Sequence, residues 1–311
     1  MKYFRSYPYM LQLLLLILMV FTVMSASVVF ISIILTKATG FSLSQVSGIG
    51  PNSPAALVLA MSLVQGASNL FTFCVPALLF AYLATPYPAS YLGFRRPGKP
   101  VQLLLALLIM IGATPLLSGL EGLVGLINFG PGAKAAQKAN DDMLSAFLNV
   151  GTFPAFLRVF SIFAVIPALG EELFFRGLLL RFAKKRSRNM VFPTIFTAAV
   201  FAGVHANING LVSIFCAGIL LAVIYNLTGS IWCSMLGHLS FNGLQIFLSY
   251  LGNGNATIKA FMANNTVPYY MLACGVVLFG ISFYLLWKNR TPLPPNWADD
   301  YTPEEISAKA Y

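Results

Sequence analysis

Eight stretches of this chain are apolar for long enough, or nearly long enough, to cross a hydrocarbon layer as helices, which takes about 20 residues. They run approximately from Met10 to Leu35, Ala55 to Ala84, Val101 to Ile127, Phe153 to Phe182, Val191 to Ala206, Leu211 to Leu227, Ile231 to Leu251 and Tyr269 to Trp287. The fifth and sixth are short, and a single hairpin across them is an alternative. The first apolar run exceeds the roughly 7–15 residues of a signal-peptide core, so it reads as a retained helix. The expected fold class is all-α: a polytopic membrane protein of about eight transmembrane helices, with a polar cavity opening to the cytoplasm.

Composition makes the bilayer the necessary solvent. Of 311 residues, 58% are hydrophobic and 9% charged, against about 25% charged in soluble domains. A water-soluble fold of this length has too much surface to hide so much apolar area. The net charge of +10 does not point to nucleic acid, because no basic face interleaved with aromatics is present. The cations fall in short clusters between apolar runs: Lys2 and Arg5; Arg95, Arg96 and Lys99; Arg181, Lys184, Lys185, Arg186 and Arg188; Lys288 and Arg290. With eight spans these share one side. The opposite loops hold only Lys37, then Lys134 and Lys138 balanced by Asp141 and Asp142, then Lys259. The positive-inside rule then places both termini in the cytoplasm. Residues 1–290 form one membrane domain with its motif core at 165–250. Residues 291–311, Pro-rich and then acidic (Asp299, Asp300, Glu304, Glu305), read as a flexible cytoplasmic tail. Cys74, Cys216, Cys233 and Cys274 lie in apolar runs without CxxC spacing and read as small hydrophobes.

Ionisable groups inside a membrane are costly, so each is a functional candidate. Of nine acidic residues only Glu171 and Glu172 fall in the middle of an apolar segment, and the chain has two histidines, His205 and His238, in the fifth and seventh segments. At about 1.5 Å per residue, the three positions lie roughly 16, 20 and 10 Å from the cytoplasmic side, close enough for one pocket. In GEELFFRG, Glu172 and Arg176 are four apart and pair on one helix face. Glu171 is rotated by about 100° and left free as a base. In FAGVH, Phe201 and His205 share a face, and in GHLSFN so do His238 and Asn242. Gly170, Gly177, Ala202, Gly203, Ala206 and Gly237 permit close helix approach. Pro167 leaves a carbonyl unpaired one turn before Glu171.

Each of these motifs alone has a structural reading: an ion pair, a cross-helix hydrogen bond, packing glue. Their occurrence as one ordered set favours chemistry. Glu121, near an interface, reads as solvated, and Arg158 as reaching for the outer surface. The sequon-like Asn255 and Asn264 carry no argument.

The order EExxxR (Glu171, Glu172, Arg176), FxxxH (Phe201, His205) and HxxxN (His238, Asn242) resembles the CPBP intramembrane proteases, the family of type II CAAX prenyl endopeptidases and bacteriocin-processing or Abi immunity proteins. The resemblance lies between Glu171 and Asn242. The eight-segment count agrees with the CAAX endopeptidase fold. It implies that Glu171 activates water with help from His205, that His238 and Asn242 donate to the oxyanion, and that Glu172 and Arg176 are an orienting pair.

Two histidines and a glutamate are also a zinc donor set (Glu171, His205, His238). The absence of HExxH, and an asparagine at 242 suited to an oxyanion hole, favour a metal-free protease with no cofactor. The expected partners are the bilayer and a membrane-associated protein or peptide substrate, with lipidation and oligomeric state left open, in a bacterial plasma membrane. Two other classes fit less well. A non-enzymatic scaffold or immunity partner needs no such set of groups, and a proton-coupled transporter is expected to show an inverted repeat that is not visible.

Overall fold

The computed structural model describes residues 3–46, 48–263 and 267–301. Lys2, Asn264, Glu304 and Glu305, named above, lie outside them. The described residues are helical throughout, without strands. The principal helices are α1 (Tyr9–Thr39), α2 (Ala55–Ala84), α3 (Val101–Gly125), α4 (Pro131–Leu148), α5 (Phe153–Lys184), α6 (Val191–Val204), α7 (Leu211–Thr228), α8 (Ile231–Gly254) and α9 (Tyr269–Lys288). Each of the eight apolar stretches became a helix. By length and composition alone, six of the described helices qualify as membrane spans: α1, α2, α3, α5, α7 and α9. Helix α6 is apolar but has 14 residues, about 21 Å against a hydrocarbon core of about 30 Å. Helix α8 is long enough but interrupts its apolar run with Ser234, His238, Ser240, Asn242, Gln245, Ser249 and Asn253.

Two helices contain wide π turns just before a proline: Leu70–Cys74 before Pro76 in α2, and Ser161–Val165 before Pro167 in α5. Proline lacks an N–H and crowds the carbonyl one turn back, which strains the regular ladder. A third π segment, Leu173–Leu179, follows the two glutamates. Such turns are frequent at functional sites.

Helices α3, α7, α8 and α9 pack around Ile109, Met110, Leu221, Ile224 and Leu286. Glycine sets the α3–α9 approach: a Cβ on Gly112 would stand 2.6 Å from the Phe279 nitrogen, and one on Gly275 would stand 2.8 Å from the Gly112 carbonyl oxygen. This is the small-residue contact by which membrane helices gain packing without a hydrophobic drive.

The basic loops converge at one end. There the Ser230 hydroxyl donates to the Arg95 carbonyl at 2.6 Å, and Lys99 Nζ to Asn289 Oδ1 at 3.2 Å. The chain after α9 is docked against this end over residues 291–301, where a loose tail was expected. The Thr291 N–H donates to the Leu227 carbonyl and the Leu293 N–H to that of Asn226. Gln102 Nε2 donates to the Asn289 carbonyl at 2.7 Å, and Trp297 and Ala298 are buried. Trp297 joins Phe80, Leu178, Phe182 and Tyr225 in one apolar cluster. The acidic pattern hid this anchor because its key side chain is an apolar ring.

Candidate active site

Glu171, Glu172 and Arg176 come from α5, Phe201 from α6, His205 from the residue that caps α6, and His238 and Asn242 from α8. All seven lie close together. Glu172 Oε1 is the hub of one half. It accepts from Arg176 Nη1 at 2.7 Å and faces His238 Nδ1 at 2.9 Å. Arg176 Nη2 reaches the Gly218 carbonyl on α7 at 2.9 Å. Glu172, Arg176 and His238 are buried; Glu172 Oε2 and Arg176 Nε have no hydrogen-bond partner there, so desolvation offsets part of the pair's attraction.

Glu171 is the hub of the other half. Its Oε2 stands 3.9 Å from His205 Nε2 and 3.8 Å from His238 Nε2, and it is buried with no direct hydrogen bond. These gaps are too long for direct bonds but suit a bridging water. The outer ring nitrogens are committed elsewhere. His205 Nδ1 lies 2.7 Å from the Phe201 carbonyl, which can only accept, so this nitrogen carries the proton. His238 Nδ1 donates in the same way to Glu172. Both rings therefore turn Nε2 toward the one free oxygen of Glu171. The Phe201 ring walls the space, with centroids 4.7 Å from His205 and 5.8 Å from His238, and the Arg176 guanidinium carbon lies 5.1 Å from its centre.

Asn242 Nδ2 donates to the Phe163 carbonyl at 3.3 Å. That carbonyl stands four residues before Pro167, which cannot donate to it. Asn242 thus meets the acceptor that the proline frees, and its second N–H remains for other work.

Sequence reasoning missed Asn69. On α2, it donates Nδ2 to Glu171 Oε1 at 2.7 Å, fixing which oxygen faces the histidines. Gly170 makes room for it: a Cβ there would stand 3.1 Å from Asn69 Oδ1. The available signal was an amide in the middle of an apolar run, just before the π turn.

The expected opening toward the basic end finds no support in the packing. On that side Phe175, Leu178, Leu180 and Phe182 are closed in. The exposed member of the site is His205, with 32% of its side chain open, at the end of α6 remote from the basic loops. The turn after it packs toward Gly125 at the far end of α3 and toward α4, where the Asn209 N–H donates to Gln137 Oε1 at 3.5 Å. A cavity of about 340 Å³ lies there, lined by Lys134, Gln137, Asp141, Asp142 and Asn209.

Glu171, His205 and His238 are the donor types zinc takes, but their spacing is wider than a zinc site. Bonds of about 2.0–2.1 Å place tetrahedral ligands about 3.3–3.4 Å apart. No group of three or more His, Cys, Asp or Glu positioned to hold a metal ion occurs among the described residues. The four cysteines are free thiols.

The site is thus a buried glutamate facing two imidazoles inside a bundle of apolar helices. Residues 153–244, from the start of α5 to just past Asn242, match the family model of the type II CAAX prenyl endopeptidases, Rce1-like. That stretch is similar to this family, in agreement with the resemblance carried by its motifs. No curated protein and no solved structure matches the chain.

Proposed function

We propose that this protein is an intramembrane endopeptidase that hydrolyses a peptide bond of a membrane-associated protein or peptide. The observation that carries this reading is the convergence of His205 Nε2 and His238 Nε2 on Glu171 Oε2 at 3.9 and 3.8 Å. A water held among these atoms gives its proton to Glu171 Oε2 while His205 Nε2 accepts its second hydrogen bond. The oxygen attacks the scissile carbonyl, and Glu171 passes the proton to the departing amine. A base so placed contributes about 10²–10⁴-fold. His238, held at Nδ1 by Glu172, donates to the oxyanion from Nε2. The free N–H of Asn242 is the second donor. Donors fixed in a dry site are worth about 3–4 kcal/mol each.

The substrate approaches past His205, the open edge. With the basic loops in the cytoplasm, as the positive-inside rule directs, that edge lies on the far side of the membrane. The test is cleavage of a membrane-tethered peptide by the purified protein in liposomes, in water enriched in oxygen-18. One labelled oxygen in the new carboxylate is expected. A cellular role that persists in a His205→Ala/His238→Ala variant would mean that the protein works as a scaffold.

A zinc-dependent form of the same protease is the second reading. Both Nδ1–H groups are tied to acceptors, as is usual when Nε2 binds metal. Glu171, His205 and His238 would then close by about half an ångström around the ion, which would polarise the carbonyl and water. Activity lost to a strong chelator and restored by zinc selects it.

A further inference from the structure

At the basic end a second cavity, of about 500 Å³, lies between the segment before α1, the turn after α2, α5 and the returning chain after α9. It is separate from the hydrolytic site: Arg181, in its wall, follows Glu171 on α5 by ten residues, about 15 Å. Arg5 and Arg95 also line it, with Tyr91, Trp297, Asp299 and Asp300.

Arg181 is 5% exposed and lies between two rings, 4.2 Å from the centre of Tyr91 and 5.0 Å from that of Trp297. Its protein acceptor is the Asp299 carbonyl, 3.3 Å from Nη1, and no carboxylate of the described residues stands within 4 Å. Arg181 Nε, the Tyr91 hydroxyl and Trp297 Nε1 are buried without partners. Burial pushes the Tyr91 hydroxyl up to about 12, so it keeps its proton. Asp300 gives its oxygens to Lys185 and Gln12, at 2.5 and 3.4 Å. Arg95 donates to Ser90 at 3.2 Å, and Arg5 to the Asp300 carbonyl at 3.2 Å.

A buried cation without a carboxylate costs several kcal/mol, and each unmet buried donor about 1–3 kcal/mol. An oxyanion in the cavity would give the Arg181 guanidinium the counter-ion it lacks, and guanidinium forks prefer such groups. We propose that this cavity binds a phosphate-type oxyanion, held by Arg181 with Arg95 and Arg5 at its rim, and that the anion fastens residues 294–301 to α5. The phosphodiester of an anionic lipid and free phosphate share this chemistry, and the position among the basic loops suits a headgroup.

The test is thermal unfolding of the full chain in a neutral, phosphate-free detergent. Inorganic phosphate and phosphatidylglycerol are titrated separately, against sodium chloride of equal ionic strength and phosphatidylcholine. A saturable rise in Tm with at least one phosphate ligand is expected in the wild type. It should vanish in Arg181→Gln and need about tenfold more ligand in Arg95→Gln, whose side chain is exposed and whose loss leaves the core intact. If Arg181→Gln does not fold, Arg95→Gln decides alone. A rise with inorganic phosphate identifies free phosphate, and a rise with phosphatidylglycerol only identifies the lipid. No rise beyond the salt and phosphatidylcholine controls, or an unchanged response in Arg95→Gln, overturns the proposal.

Discussion

Asn69 Nδ2 donates to Glu171 Oε1 across 2.7 Å, joining two residues 102 positions apart. With one oxygen held, the other faces His205 and His238. Replacing Asn69 by Ala should lower kcat/KM for a tethered peptide by about 10–100-fold, the worth of a hydrogen bond to a charged group at about 1.5–3 kcal/mol. The thermal transition should move little. Activity within twofold of wild type would remove Asn69 from the machinery.

The Glu172–Arg176 pair is buried, and Arg176 also ties α5 to the Gly218 carbonyl. Arg176→Met leaves a buried carboxylate without its cation. We expect a loss of about 3–5 kcal/mol, read as a lowered Tm in detergent. The double variant Glu172→Gln/Arg176→Met should recover part of it, because the uncompensated charge is gone. A double variant no better than the single one would show that the ion pair is not what stabilises this region.

Asn242 is assigned two tasks by its two N–H groups. Asn242→Ala should reduce kcat by about 10²–10³-fold through the lost oxyanion donor. It should also lower Tm slightly, as the Phe163 carbonyl beside Pro167 loses the donor that Asn242 supplies. A fall in Tm with unchanged kcat would leave only the structural task.

Gly112 and Gly275 let α3 and α9 touch backbone to backbone. Gly112→Ala drives a methyl to 2.6 Å from the Phe279 nitrogen, so the helices must part. Overpacking of this kind costs about 1–3 kcal/mol, again visible in Tm. A neutral Gly280→Ala, where the added Cβ meets nothing within 4 Å, is the matched control.

Much of this was legible in the sequence because membrane proteins simplify the reading. Apolar length located the long apolar helices, and α2 runs from Ala55 to Ala84 as read, whereas the polar α4, Pro131–Leu148, was read as a loop. The site residues stood out because ionisable groups are rare in such segments. What was hidden follows from the same simplicity. Asn69 is uncharged and distant in sequence, so a search for ionisable groups passed over it. The short α6 was read as a span or hairpin; it has 14 residues, and His205 at its end is the exposed member of the site. The docking of residues 291–301 rests on Trp297, Ala298 and Leu293, scattered among prolines and polar residues, and on backbone hydrogen bonds to α7 that composition does not show.

The central claim is that Glu171 activates the attacking water. The most direct measurement is single-turnover cleavage of a tethered peptide by Glu171→Gln, a variant of nearly the same shape that can still accept from Asn69. Its Tm should match the wild type, and its rate should fall by at least about 10³-fold, within the range of a lost general base. A rate within about tenfold of wild type, from a variant equally well folded, would contradict the account.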